Sequence, residues 1–276
     1  MHTGFQQLRD LQAEYESCGR YRLLWRGNNL IVRRATSATA LYVRELDRAV
    51  ACLRRSRVTR VKLGRDLGRE ELLFWADVCA AADCEVFLSL PGDANLPQKR
   101  KPLHWWLKCV VDRLVSLGIL LLLTPVLVLL AVLLRQASSE SLLVRQWQVG
   151  ARGRLYRAFY FRTQTNAGEP LKMADWMRRY RLDRLPKFLN VLRGEMSIVG
   201  ACPRRLSDVP SIEPEFRNRL NALPGITGAW MLESRLALKD YDFLDCLDVQ
   251  YLLSWSLRRD FGYLLLTAPR LLADES

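Results

Sequence analysis

Apolar positions fall in short alternating or helical patterns over the first ninety residues, merge into one long uncharged run, and then return to short mixed segments. At the start, Phe5, Leu8 and Leu11 recur at helical spacing. Residues 21–25 and 30–34 read as strands joined by Arg26-Gly27-Asn28-Asn29, a composition suited to a tight hairpin. Ser37 is placed to cap a helix running to about residue 53, with Leu41, Leu46, Val50 and Leu53 on one face. A strand over 58–63, a helix over 69–82 and a strand over 84–90 complete a ββαβαβ order, so residues 1–92 are expected to form a small α/β domain. That order resembles the small STAS-type regulatory modules. Residues 93–101 read as a linker, opened by the turn-forming stretch Pro91 to Pro97.

The uncharged run covers residues 114–134, and a helix of that length reaches about 31 Å, roughly one bilayer core. Thr124-Pro125 near its midpoint is expected to kink or break it, leaving two arms of ~15 Å each. Basic residues flank both ends: Lys99, Arg100, Lys101, Lys108 and Arg113 before, Arg135, Arg145 and Arg152 after. Positive flanks stay on the cytoplasmic side, which favours a re-entrant membrane helix over about 107–134; a kinked spanning helix is the other reading. Lys108 and Asp112 then fall at headgroup level beside Trp105 and Trp106.

Beyond the run the pattern is mixed and helix-dominated, an α+β class. Helices are expected over 162–180, 185–192, 216–220 and 240–265, and extended segments over 142–149 and 156–161. Residues 261–272 are apolar enough to lie on a membrane or in the core.

Composition narrows the partners. Forty-two Lys and Arg against 29 Asp and Glu leave a net charge of +13, which favours anionic partners. The basic residues are spread along the chain and flank the apolar run, so anionic membrane lipid and phosphorylated substrates are expected rather than nucleic acid. The seven cysteines contain no C-x-x-C pair, which points to a reducing compartment without a disulfide framework. With only His2, at the terminus, and His104, beside two tryptophans, a histidine-based nucleophilic triad is not expected. Residues 1–20 are polar and amphipathic, unlike a signal peptide.

The chemistry concentrates in residues 181–200, RLDRLPKFLNVLRGEMSIVG. Asp183 stands among arginines just before a helix, and Glu195 follows as that helix ends. A carboxylate held among cations stays ionised and can attack phosphorus or hold a metal. A salt-bridged, solvated helix start is the competing reading of the same residues.

The blocks around this stretch carry a resemblance. They are Lys108-x3-Asp112, the apolar run broken at Thr124-Pro125, Arg145-Gln146-x2-Val149-Gly150, Phe159-Tyr-Phe-Arg162-Thr163, Leu182-Asp183-x-Leu185-Pro186-x3-Asn190, Gly194-Glu-Met-Ser197-x-Val-Gly200, Pro224-Gly-Ile-Thr-Gly228-x-Trp230 and Asp248-x2-Tyr251-x3-Trp255. In this order they resemble the bacterial sugar transferases, the monotopic polyprenyl-phosphate phosphoglycosyl transferases, over roughly residues 99–272, within a domain spanning 102–276. The resemblance implies transfer of a sugar-1-phosphate from a nucleotide diphosphate sugar to polyprenyl phosphate at the cytoplasmic face of a bacterial inner membrane, starting polysaccharide or glycan synthesis. It implies Asp183 as a nucleophile forming a covalent phosphosugar intermediate, Mg2+ as cofactor, with Asp183 and Glu195 as candidate ligands, and Thr124-Pro125 in place of the family's Ser-Pro break. Polysaccharide-assembly proteins are further candidate partners.

Arginines would orient the phosphates of both substrates, with Arg145, Arg162, Arg181, Arg204 and Arg205 as candidates and a surface role the alternative for each. Gly225 and Gly228 would let backbone amides approach an anion, or simply make a tight turn. Two departures matter: the family's Asp-Glu dyad is Asp183-Arg184 here, and its Gly-Pro-Arg-Pro turn is Gly200-Ala201-Cys202-Pro203. Arg184 is then expected to replace the charge of a metal, to coexist with magnesium held by an acid and the substrate diphosphate, or to mark a catalytically impaired scaffold or regulator of polysaccharide assembly. The donor sugar and the oligomeric state have no legible motif.

Overall fold

A computed structural model describes residues 20–34, 41–42, 46–90, 96–137, 139–165, 167–232 and 241–272. The chain divides into two compact units. The first comprises residues 1–91 with segments 152–155 and 204–214, and the second comprises 92–151, 156–203 and 215–276.

In the first unit, β1 (Arg20–Arg26) and β2 (Asn29–Arg34) form the expected hairpin, turning at Gly27 with φ 56°. A positive φ is a conformation glycine adopts without strain. The unit continues with β3 (Leu41–Tyr42), α1 (Leu46–Arg55), β4 (Arg60–Leu63), α2 (Arg69–Ala81) and β5 (Glu85–Leu88). The sheet order is β3-β1-β2-β4-β5, with β2, β4 and β5 parallel. Alternation explains the layering: Tyr21, Leu23, Leu30, Val32, Val61, Leu63, Val86 and Leu88 are buried, together with Val50 and Leu53 of α1 and Leu72 and Trp75 of α2. Tyr21 meets Trp75 edge to face at 5.4 Å.

One boundary is corrected. The helix expected from residue 37 begins only at Leu46, because Leu41–Tyr42 pairs with β1 as an edge strand. Ser37 and the expected helix at Phe5, Leu8 and Leu11 lie outside the described residues.

The second unit begins with a helical turn, α3 (Pro97–Arg100), whose Arg100 donates to the Leu253 carbonyl at 2.8 Å. The long helix α4 (Pro102–Ala137, 36 residues) follows, with Pro125 inside it. The helix continues through Thr124-Pro125 without the break expected there, and Thr124 Oγ1 donates back to the Leu120 carbonyl at 2.8 Å. By length and composition α4 could cross a membrane, and most of its apolar stretch is bare: Leu114, Leu121, Leu122, Val128 and Leu129 are exposed. Then come the two-stranded sheet of β6 (Leu143–Val149) and β7 (Leu155–Phe161), α5 (Ala174–Arg179), α6 (Lys187–Leu192), and β8 (Ser197–Val199), paired parallel with β9 (Gly225–Thr227). Last are α7 (Tyr241–Leu253) and α8 (Leu257–Leu272).

Three expectations shift here. The helix anticipated over 162–180 is confined to α5; Gly168, with φ 85°, and Pro170, bridged to Gln164, keep the preceding residues irregular. The segment at 216–220 lies in a 3-10 helix (Pro214–Asn221), and the helix over 240–265 is two, separated at Ser254 to Ser256. The β8–β9 pair was not anticipated. On α8, Phe261, Leu265 and Leu266 face outward and Thr267 is buried.

Candidate active site

Asp183 lies on a single 3-10 turn, Leu182–Arg184, entered through Arg181 in the left-handed region at φ 54°. Pro186, at φ −60°, then starts α6, a conformation proline holds by its ring. The turn is fixed by its apolar members: Leu182 and Leu185 pack against the cluster of Leu130, Leu134, Phe161, Leu171, Ala174 and Met177. Two of those residues belong to α4. The acid is therefore carried on a turn packed against the second half of the apolar helix.

Asp183 Oδ1 is buried and accepts no hydrogen bond among the described residues. Burial pushes the carboxyl above its ordinary pKa, against the pull of Arg184, of a backbone hydrogen bond, of Lys187 and of Arg178. The expectation that neighbouring cations dominate is thus reversed in direction, because desolvation outweighs them. Arg184 is exposed. Lys187 is buried, its Nζ 4.5 Å from the centre of the Tyr160 ring, while Arg178 donates to Thr163 Oγ1 at 3.0 Å. Neither Lys187 nor Arg178 was singled out from sequence, although Lys187 stands four residues after Asp183, the spacing that puts two side chains on one helical face.

The other expected phosphate contacts separate. Arg162 is committed elsewhere: it donates to Glu140 Oε2 at 2.8 Å, to the Ser141 carbonyl at 2.7 Å and to Ser141 Oγ at 2.9 Å. Arg145 is exposed and lies over the Phe159 ring at 5.6 Å. Arg204, buried, and Arg205, exposed, belong to the first unit, whereas Asp183 belongs to the second. Gly225 and Gly228 have a packing reason. A Cβ on Gly225 would fall 2.2 Å from the Gly200 nitrogen, one on Gly228 2.1 Å from the Gly200 carbonyl oxygen, and the Gly225 amide already donates to the Ala201 carbonyl at 2.9 Å.

Lys108 and Asp112 anchor the first half of α4 in a buried polar network. Lys108 Nζ donates to Asp260 Oδ2 at 2.7 Å and to the Val199 carbonyl at 2.9 Å, and lies 3.5 Å from Asp112 Oδ2. Ser197 Oγ donates to Asp112 Oδ2 at 2.5 Å, while Tyr251 OH and Trp255 Nε1 donate to Asp260 at 2.8 and 3.0 Å. Asp260 was not legible as a partner, since 152 positions separate it from Lys108. A second buried cluster, Arg219 with Asp245 and Asp248, holds the Cys202 turn: Asp248 accepts from Arg219 Nη1 at 2.7 Å and from the Cys202 amide at 3.0 Å.

Glu195 is tied into the scaffold. Asn190 Nδ2 donates to its Oε2 at 2.6 Å and to the Arg157 carbonyl at 2.9 Å, while Asn190 Oδ1 accepts the Phe159 amide. Among the described residues no group of three or more His, Cys, Asp or Glu side chains gathers. Magnesium is commonly held by one or two carboxylates together with substrate phosphates, so the open Asp183 oxygen would suit such an ion only alongside a bound diphosphate.

Residues 103–274 match the family model for bacterial sugar transferases. The chain belongs to the bacterial sugar transferase family. The chain is 32% identical over 200 residues to the undecaprenyl-phosphate glucose phosphotransferase of Komagataeibacter xylinus, covering 62% of this chain and 37% of the relative. It is 32% identical over 146 residues to the galactosyl transferase CpsE of Streptococcus agalactiae, covering 44% and 32%. It is 30% identical over 189 residues to the UDP-glucose:undecaprenyl-phosphate glucose-1-phosphate transferase of Caulobacter vibrioides, covering 61% and 71%. The chain thus spans only about a third of the length of the Komagataeibacter and Streptococcus relatives.

Proposed function

We propose that this sugar transferase moves a sugar-1-phosphate from a nucleotide diphosphate sugar, of the UDP-sugar type named for its relatives, to undecaprenyl phosphate, in the initiation of polysaccharide synthesis. One observation carries the reading: Asp183 presents a buried oxygen without a hydrogen bond, on a turn packed against the apolar helix. In the first step Asp183 attacks the sugar-linked phosphorus; the bond to the nucleoside phosphate breaks, and nucleoside monophosphate leaves with the electron pair. In the second step an oxygen of the lipid phosphate attacks the same phosphorus, and the aspartate leaves as carboxylate. Arg184, Lys187 and Arg178 supply positive charge around the reacting group.

The membrane reading is re-entrant, with the soluble units on the cytoplasmic face. Supporting it, the first arm of α4 packs through Lys108 and Asp112 on Ser197 and Asp260, and the second through Leu130 and Leu134 on Phe161 and Met177. Those partners all lie in one compact unit, which a spanning helix of ~30 Å would have to place on both sides of the bilayer.

Purified protein in lipid nanodiscs, incubated with radiolabelled UDP-sugars, tests the chemistry. Label retained on the protein with release of nucleoside monophosphate is expected. Wild-type protein that takes up no label from any donor refutes it and favours the second reading, a scaffold in polysaccharide assembly, which the exposed Arg184 in the family's glutamate position motivates.

A further inference from the structure

Of the three cations that pull on the Asp183 carboxyl, Arg184 and Arg178 are exposed, whereas Lys187 is only 7% exposed. Water screens the two arginines, while a charge inside the protein acts at a lower effective dielectric. Lys187 also shares a face with the acid. Leu185, at φ −54° and ψ −37°, and Pro186, at φ −60° and ψ −16°, carry the helical path from the 3-10 turn into α6, so the two side chains lie one turn apart. An ammonium on a flexible stem has no fixed direction of its own, and its placement depends on what it packs against.

Tyr160 provides that contact. The Lys187 Nζ lies 4.5 Å from the centre of its ring, within cation–π reach. Lysine and ring belong to different elements, α6 and β7, and buried amides hold each part in place. Gln148, 2% exposed, donates from Nε2 to Tyr160 OH at 2.8 Å and accepts at Oε1 from Tyr156 OH at 2.8 Å, so one side chain of β6 bridges both phenols. Asn190, on the same helix as Lys187, donates to the Arg157 carbonyl at 2.9 Å and accepts the Phe159 amide at 3.0 Å, which ties β7 to α6 just before Tyr160. All of these residues belong to the second unit.

We infer that Tyr160 is a positioning residue of the transfer: its ring holds the Lys187 ammonium beside Asp183 to meet the donor phosphate that the acid attacks. A cation fixed there before the substrate arrives stabilises the charge on the phosphate oxygens without having to reorganise during the reaction. The inference rests on the transferase reading for the identity of the phosphate, and its first readout requires no turnover.

Full-length protein with isotope-labelled lysine, in lipid nanodiscs, is followed by NMR, the Lys187 signal being the one lost in Lys187→Arg. A ring-current shift of that signal is expected in the wild type and in Tyr160→Phe, and its loss in Tyr160→Leu. Adding UDP-glucose should move the shifted signal further. Uptake of label from radiolabelled UDP-sugars is then timed. Tyr160→Leu is expected to slow it by about tenfold, the scale of a desolvated cation–π contact, with less change in the donor concentration at half-maximal rate, and Tyr160→Phe to recover most of the rate. Tyr160→Leu combined with Lys187→Gln is expected to be no slower than Lys187→Gln alone, because the ring acts through the lysine.

Additive losses in that pair give Tyr160 a merely structural role and overturn the inference, as does a Tyr160→Phe variant as slow as Tyr160→Leu. An unshifted Lys187 signal in the wild type, or one that UDP-glucose leaves in place, overturns it as well. Wild-type protein whose Lys187 signal is shifted and moves with UDP-glucose, yet which takes up no label from any donor, keeps the inferred placement and refutes only the transferase reading.

Discussion

Lys108 Nζ and Asp260 Oδ2 meet at 2.7 Å in the interior of the second unit, joining the start of the apolar helix to the last helix of the chain. Both side chains are buried, and each has further partners, the Val199 carbonyl for the lysine and Tyr251 with Trp255 for the aspartate. Removing one member leaves the other charge buried without its counterion, at a cost of about 3–5 kcal/mol. Asp260→Asn or Lys108→Met should lower the melting temperature strongly. The double change Lys108→Met with Asp260→Leu should be less damaging than the sum of the single changes. Additive losses in thermal denaturation would show that the two side chains are not coupled.

Asp183→Asn should reduce transfer by about a thousandfold or more, the scale expected for loss of a covalent nucleophile. The same change should raise thermal stability at neutral pH, because burial disfavours the charged carboxyl. The sign follows from linkage. A group whose folded pKa is raised binds more protons folded than unfolded, so its contribution is fully present below the unfolded pKa and is lost as pH rises through the folded pKa. Activity runs the opposite way, rising with pH over that window as the nucleophile ionises. Melting curves of wild type and variant that stay parallel across that window would contradict the assignment.

If Arg184 supplies charge in place of a metal, Arg184→Glu should make transfer depend more steeply on magnesium. A titration of the purified enzyme with magnesium after chelation reads this directly. Superimposable curves for wild type and variant would remove Arg184 from the reaction.

Gly228→Ala should destabilise by about 1–3 kcal/mol or more, since its Cβ would fall 2.1 Å from the Gly200 carbonyl oxygen and backbone cannot yield as a side-chain end can. Gly118→Ala on α4, where nothing lies within 4 Å, should be nearly neutral. Equal melting temperatures for the two variants would mean that the close approach of β8 and β9 is not needed.

The re-entrant path predicts that Lys101→Cys and Gln136→Cys, beyond the two ends of the apolar run and both exposed, react with a membrane-impermeant thiol reagent from the same side of sealed inverted vesicles. A background without the native cysteines is required. Reaction of only one position from that side would establish a spanning helix.

Local pattern and turn composition determined the hairpin at Gly27, the ββαβαβ order of the first unit and the apolar run of α4, because those signals lie within short stretches of the chain. The ordered blocks around Asp183 marked the acid and the family in the same way, by spacing along the chain. The short helix α5 escaped because Gly168 and Pro170 interrupt a pattern whose composition otherwise suits a longer one.

Tertiary structure decided which charges meet. Arg162 turned to Glu140 and Ser141, Gly225 and Gly228 turned to the Gly200 backbone, and Lys108 found Asp260. It also decided the direction of the Asp183 shift, because desolvation depends on Leu182 and Leu185 reaching the α4 cluster, and burial is a property of packed neighbours rather than of sequence spacing.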